Sequence, residues 1–85
     1  MTSKTYSALI MMLFMMNKDT VAGMNSVIKY TDVLAKKLDI TISITKQTKY
    51  NCIYELIDSG ILSTNTDKYR SRTVFLSEKI KKYLE

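Results

Sequence analysis

The sequence predicts a single α+β domain, mainly helical, with a hydrophobic N-terminal helix and a two-stranded basic hairpin near its end. Three observations predict it. An almost uninterrupted apolar run spans Tyr6 to Met16, a segment with helical period runs from Thr45 to a stop at Gly60, and two β-prone stretches flank a polar turn at Asn65-Thr66-Asp67. The chain has 85 residues, 46% apolar and 25% charged, the composition of a globular domain rather than a disordered tail. That length allows one domain, residues 1–85, which hides only about 60–65% of its unfolded surface and so has a small core.

The first helix is expected from Lys4 to Met16, with Ser3 as cap and Asn17-Lys18-Asp19 as its end. Leu, Met and Ala lose little rotamer freedom in a helix, so the composition suits one. The basic start and apolar run also have the outline of a signal peptide. The run falls short of the ~20 apolar residues that span a bilayer, and no small-residue cleavage site follows it closely. It is therefore read as a buried helix of a cytoplasmic protein with no membrane partner. Because it is apolar almost all round, it has two faces to bury and only one domain to bury them in. The second face is expected to form a homodimer interface through Leu9, Met12, Leu13 and Met16.

Residues 17–26 read as a loop, and Ser26 to Tyr30 as a short strand or extended lead-in. Thr31 is expected as N-cap, with Asp32 in the first turn where its charge suits the helix dipole. The short helix that follows places Leu34, Ala35 and Leu38 on one side, with Lys36 and Lys37 in solvent. Thr41-Ile42-Ser43-Ile44-Thr45 is open between loop, strand and a strained first helical turn. From Thr45 to Ser59 the helical period groups Cys52, Ile53 and Leu56, with Ile57 beside them, opposite Gln47, Tyr50, Asn51 and Tyr54. An outer face of amides and phenols is unusual, because ordinary solvent faces carry Glu and Lys. The hairpin follows, and Ser77 caps a last helix, Glu78 to Glu85, with Ile80, Tyr83 and Leu84 at i, i+3, i+4 spacing.

Absent residue types exclude most chemistry. With no His there is no histidine base, no Ser-His or Cys-His nucleophile and no imidazole ligand. Cys52 is the single cysteine, which provides neither a disulfide nor a zinc motif and suits a reducing compartment. Gly23 and Gly60 are the two glycines, so no Gly-rich phosphate loop exists. No enzyme activity, cofactor or metal is expected. A basic binding module remains: 13 Lys and Arg against 8 Asp and Glu, net +5.

The order of helix, extended segment, short helix, longer helix ending in Gly-Ile-Leu, and basic hairpin resembles a winged helix-turn-helix. Leu34 to Ile40, LAKKLDI, looks like the second-helix segment of that superfamily; YELIDSGIL at Tyr54 to Leu62 looks like the end of its recognition helix; VFLSEKIKKYLE resembles the last wing strand and following helix of MarR-like regulators. The likeness covers residues 27–85. One spacing departs from the pattern. From Ile40 to Gly60 is 20 residues, about one helical turn more than usual. Either the turn is long or the recognition helix begins early, near Thr41. Lys49 also stands where the family usually keeps an apolar residue.

The resemblance implies a DNA-binding protein whose recognition helix enters the major groove of double-stranded DNA. Amides there can make bidentate contacts to adenine, so Gln47 and Asn51 are expected to read bases, with Tyr50 and Tyr54 on phosphates or thymine methyls. Lys46 and Lys49 lie toward the helix N-terminus, which favours phosphate. Lys68, Arg70 and Arg72 fall at alternate positions and so share one face of the wing, with Tyr69 and Ser71 on the other. Size, the apolar first helix and the bare wing further resemble TubR-type centromere-binding adaptors. These are winged-helix dimers of plasmid and phage partition systems that bind repeated sites, repress their own operon and engage a tubulin-like filament protein. A conventional repressor at one operator and a protein-binding module are the alternatives.

Overall fold

The computed structural model describes residues 2–66 and 72–84, in the order α1 (Ser3–Met16), β1 (Val21–Gly23), α2 (Met24–Lys37), α3 (Lys46–Asp58), β2 (Leu62–Thr66), β3 (Arg72–Leu76) and α4 (Glu78–Leu84). The strands form one antiparallel sheet in the order β1-β3-β2, with Val21 opposite Phe75 and Leu62 opposite Leu76. The helices and this sheet enclose one core. It takes Tyr6, Ile10 and Phe14 from α1, Val27 and Ile28 from α2, Cys52, Ile53 and Leu56 from α3, and Leu62, Val74 and Leu76 from the hairpin. This α+β architecture is compatible with the winged-helix order expected from the sequence.

Helix α1 buries Tyr6, Leu9, Ile10 and Phe14, a single i, i+3, i+4, i+8 stripe. Its cap is Thr2 rather than Ser3: the Thr2 hydroxyl accepts from the Thr5 amide at 3.3 Å. Met12, Met15 and Met16 remain exposed on the opposite side. No helix among the described residues is long and apolar enough to cross a membrane.

The largest correction concerns α2. Val21 to Gly23, expected within a loop, pair with β3, and the helix begins immediately afterwards at Met24. Ser26 to Tyr30 is therefore helical, not a strand or lead-in. Thr31 is not a cap but a fully buried mid-helix residue whose hydroxyl donates to the Val27 carbonyl at 2.7 Å. The β-branched Val27 and Ile28 favour strands only weakly, and burying them with Thr31 and Ala35 on one helical stripe outweighs that preference. The Thr31 hydroxyl is satisfied by its own helix, which is what permits a polar residue in this position.

Helices α2 and α3 end by the same device. After α2 the amide of Ile40 donates to the Ala35 carbonyl at 2.9 Å and that of Asp39 to Lys36 at 3.1 Å, with Asp39 left-handed at φ 57°. After α3 the amide of Ile61 donates to Leu56 and that of Gly60 to Ile57, both at 3.1 Å, with Gly60 at φ 84°. Both are Schellman closures, in which a left-handed residue lets two amides fold back on the last turn. Residues 38–45 form a long turn, and α3 starts at Lys46 with the Thr45 hydroxyl accepting from the Thr48 amide at 3.2 Å. The two possibilities for the extra spacing thus resolve to the long turn. Ile42 and Ile44 explain its apolar content, because both pack partly buried against the core.

In the hairpin, the Thr64 hydroxyl donates to the Thr73 carbonyl at 2.9 Å across the strands. Ser77 caps α4 as expected, accepting from the Ile80 amide at 3.4 Å. Ile80 and Leu84 pack on the core, whereas Tyr83, placed with them by its spacing, is 82% exposed.

A Cβ added at Gly60 would meet no atom within 4 Å, so Gly60→Ala isolates the conformational cost of a left-handed L-residue. Urea unfolding should show a loss of about 1–2 kcal/mol; an unchanged midpoint would show that the α3 terminus relaxes freely.

Candidate nucleic-acid interface

Three helices meet at Asp32. Its carboxylate accepts from the Tyr6 phenol of α1 at 2.8 Å and from the Lys49 ammonium of α3 at 3.1 Å. The Lys49 ammonium also lies 5.8 Å from the Tyr6 ring centroid. Because Thr31 does not cap α2, Asp32 stands mid-helix, and its task is to receive these two donors rather than to complement the dipole. Burial first, and then the hydrogen bond to the Asp32 carboxylate, push the Tyr6 phenol well above its ordinary value of 10.0.

Lys49 is thereby turned inward. Its side chain is only 16% exposed and its charge is paired, unlike the phosphate contact expected of it. A lysine three and four residues before Cys52 and Ile53, on the apolar side of α3, was the sequence signal for this bridge. Its partner could not be identified while Asp32 stood in the first turn of a shorter helix.

The rest of the expected α3 face does assemble. Lys46, Gln47, Asn51 and Tyr54 are exposed, and Tyr50 is half-buried. The Gln47 side-chain amide donates to the Asn51 Oδ1 at 3.1 Å, an i, i+4 bond along the outer surface. The Tyr50 hydroxyl donates to Asn25 Oδ1 at the start of α2, and the Lys46 ammonium stands 5.9 Å from the Tyr50 ring. On the other side the Arg72 guanidinium of β3 lies 5.8 Å from the Tyr54 ring. The charged groups of Lys46 and Arg72 thus stand over aromatic faces at cation–π distance.

One surface therefore runs from the start of α2 across α3 to β3. Beside it, a shallow depression of about 400 Å³ is lined by Gly23, Met24, Asn25, Ser26, Tyr50 and Arg72. The α2 residues of this border went unrecognised in the sequence, because Gly23 to Ser26 read as loop. Gly23 before a Val-Ile pair on a helical stripe was the available signal. Between Lys46 and Tyr54 the helix carries no carboxylate; Glu55 and Asp58 follow at its C-terminal end. Lys68 and Arg70 lie outside the described residues. No group of His, Cys, Asp or Glu that could hold a metal occurs among the described residues.

The residues expected at a dimer interface divide. Leu9 is buried within its own chain at 3% exposure and Leu13 is half-buried, whereas Met12 and Met16 are 42% and 71% exposed. Leu13 and Met16 border grooves shared with α2, one of about 240 Å³ that also includes Tyr30, Val33 and Leu34. The apolar surface left open by α1 thus continues onto α2.

Asp32→Ala should cost about 1–3 kcal/mol in urea unfolding, because it strands the buried Tyr6 hydroxyl and the Lys49 ammonium. Lys49→Met should cost at most about 1 kcal/mol, since the pair is partly solvated and the Tyr6–Asp32 bond survives. Equal losses would show that the ion pair, not the phenol bond, is the dominant tie. The raised Tyr6 phenol sets an alkaline limit. It stays neutral in the folded chain while the unfolded chain ionises near the ordinary value, so its contribution is intact below about pH 10 and falls above it. Tyr6→Phe should flatten the decline of stability between about pH 10 and 11.5; parallel pH profiles for the two proteins would exclude Tyr6 as its source.

In comparisons with known proteins, no family model, curated protein or solved structure matches this chain.

Proposed function

We propose that the chain is a winged-helix DNA-binding homodimer, with α3 as recognition helix in the major groove and the β2–β3 hairpin as a basic wing. The observation that carries this reading is the outer face of α3, where Gln47, Tyr50, Asn51 and Tyr54 stand between Lys46 and Arg72 with no carboxylate among them. A helix about 10–12 Å across fits the roughly 12 Å major groove, and cations at both margins suit the flanking phosphates. The order of elements and the β1-β3-β2 sheet are compatible with the same fold class.

The narrower role follows the resemblance to TubR-type adaptors: binding of repeated centromere sites, autorepression, and engagement of a tubulin-like filament protein. What supports it is the open apolar surface that Met12, Met15 and Met16 leave on α1. Footprinting on DNA upstream of the coding sequence separates this role from a conventional repressor, since a tandem array supports it and one isolated operator rejects it.

DNA binding itself is tested by affinity for duplex DNA as a function of salt. A dimer that neutralises about 8 phosphates should give a log–log slope near −7. Arg72→Ala should make the slope shallower by about 1 for each phosphate left without its cation, while Lys49→Met should leave it unchanged. A slope near zero would reject DNA binding and favour a protein partner for the tyrosine face.

The dimer is tested by Met16→Lys. Met16 is 71% exposed, so the substitution should leave the fold intact and shift sedimentation equilibrium from dimer to monomer. A monomeric wild-type chain would refute the interface.

A further inference from the structure

We infer that Gln47 and Asn51 act as one coupled reader of adenine, which makes the chain selective for A·T pairs at the positions facing the first and second turns of α3. The inference rests on the DNA-binding reading and deepens it. The sequence alone treats the two amides as separate base contacts. In the structure Gln47 Nε2 donates to Asn51 Oδ1 at 3.1 Å, and both residues are exposed on the outer face of α3.

The chemistry of the pair favours adenine. Adenine presents an N7 acceptor and an N6 donor in the major groove, so its complement is one amide offering a donor beside an acceptor. Asn51 Oδ1 has two lone pairs, one occupied by Gln47, and the Asn51 Nδ2 hydrogens remain free. Gln47 keeps its Oε1 and its second Nε2 hydrogen. Each amide therefore retains a donor and an acceptor after pairing. Guanine presents two acceptors, N7 and O6, and would set one of them against an amide oxygen. A free amide could rotate away from that clash; a paired one must first break its bond.

The surroundings point the same way. The commonest guanine reader is a bidentate Arg or Lys. On the outer face the two central positions are amides, while the cations sit at the margins beside rings, Lys46 near Tyr50 and Arg72 near Tyr54. Lys49, the remaining cation of α3, is paired with Asp32 and only 16% exposed. Tyr54, 40% exposed on the same face as Asn51, offers ring surface to the thymine methyl of an A·T pair. Pairing also lowers the rotamer freedom that each long side chain loses on binding, which couples the two residues energetically.

The test begins with enrichment of a random duplex library by the full-length chain, followed by affinity measurements on the recovered site. The expected result is a site with fixed A·T pairs, bound about ten-fold less tightly when 7-deazaadenine removes the N7 acceptor at those pairs. Gln47→Ala and Asn51→Ala should each lose about ten-fold on this site, lose several-fold less than that on random DNA, and lose less in combination than the product of the single losses. A fixed G·C site, indifference to 7-deazaadenine, or single losses that multiply would overturn the inference and leave DNA binding standing. Failure to bind any duplex in a salt-dependent manner would overturn both. Because both residues are exposed, thermal melting should show all three variants folded.

Discussion

A single carboxylate ties three helices together. Asp32 of α2 holds the Tyr6 phenol of α1 and the Lys49 ammonium of α3 at once, so the first helix, the second helix and the candidate recognition helix share one polar anchor beside the apolar core. Apolar packing between helices is non-directional and tolerates sliding and rotation; charge-assisted hydrogen bonds do not. Tyr6 is fully buried, so its hydroxyl has no water to turn to if the geometry changes. The anchor therefore adds direction to packing that apolar contacts alone leave loose.

That arrangement determines what α3 shows to solvent. With Lys49 drawn inward beside Cys52, Ile53 and Leu56, the opposite side carries Gln47, Asn51 and Tyr54 outward. The charge pattern along the chain then acquires direction. The net +5 is weak information by itself, because many proteins carry as much. Lys46 and Arg72 flank the outer face, while Glu55 and Asp58 sit beyond it toward the end of the helix. One cation that composition counts toward a basic surface is neutralised within the fold.

A second feature of the packing is an open apolar surface. α1 buries one stripe in its own core, and Met12, Met15 and Met16 are left in solvent. Tyr30 and Val33 of α2, at 52% and 45% exposure, continue that surface. No described element of the chain covers it. Methionine is suited to such a surface, since its flexible thioether adapts to whatever packs against it.

By itself the sequence determined the elements whose signals are local. The apolar run made α1, Gly60 closed α3, the amide-and-phenol face lay opposite Cys52 and Ile53, and Ser77 capped α4. Each rests on side-chain period or on a backbone conformation that one residue supplies, and none needs a distant partner. Tertiary structure decided the rest. Strand β1 exists only because β3 lies beside it, and a three-residue strand has no pattern of its own. Helix α2 absorbed Ser26 to Thr31 because burying Val27, Ile28 and Thr31 outweighs local preference for strand and cap. The inward turn of Lys49 required Asp32, which is 17 residues away in the chain and becomes a neighbour only when the helices pack. Long-range pairing of this kind leaves no period to read, so charge that looked available for a partner proved to belong to the fold.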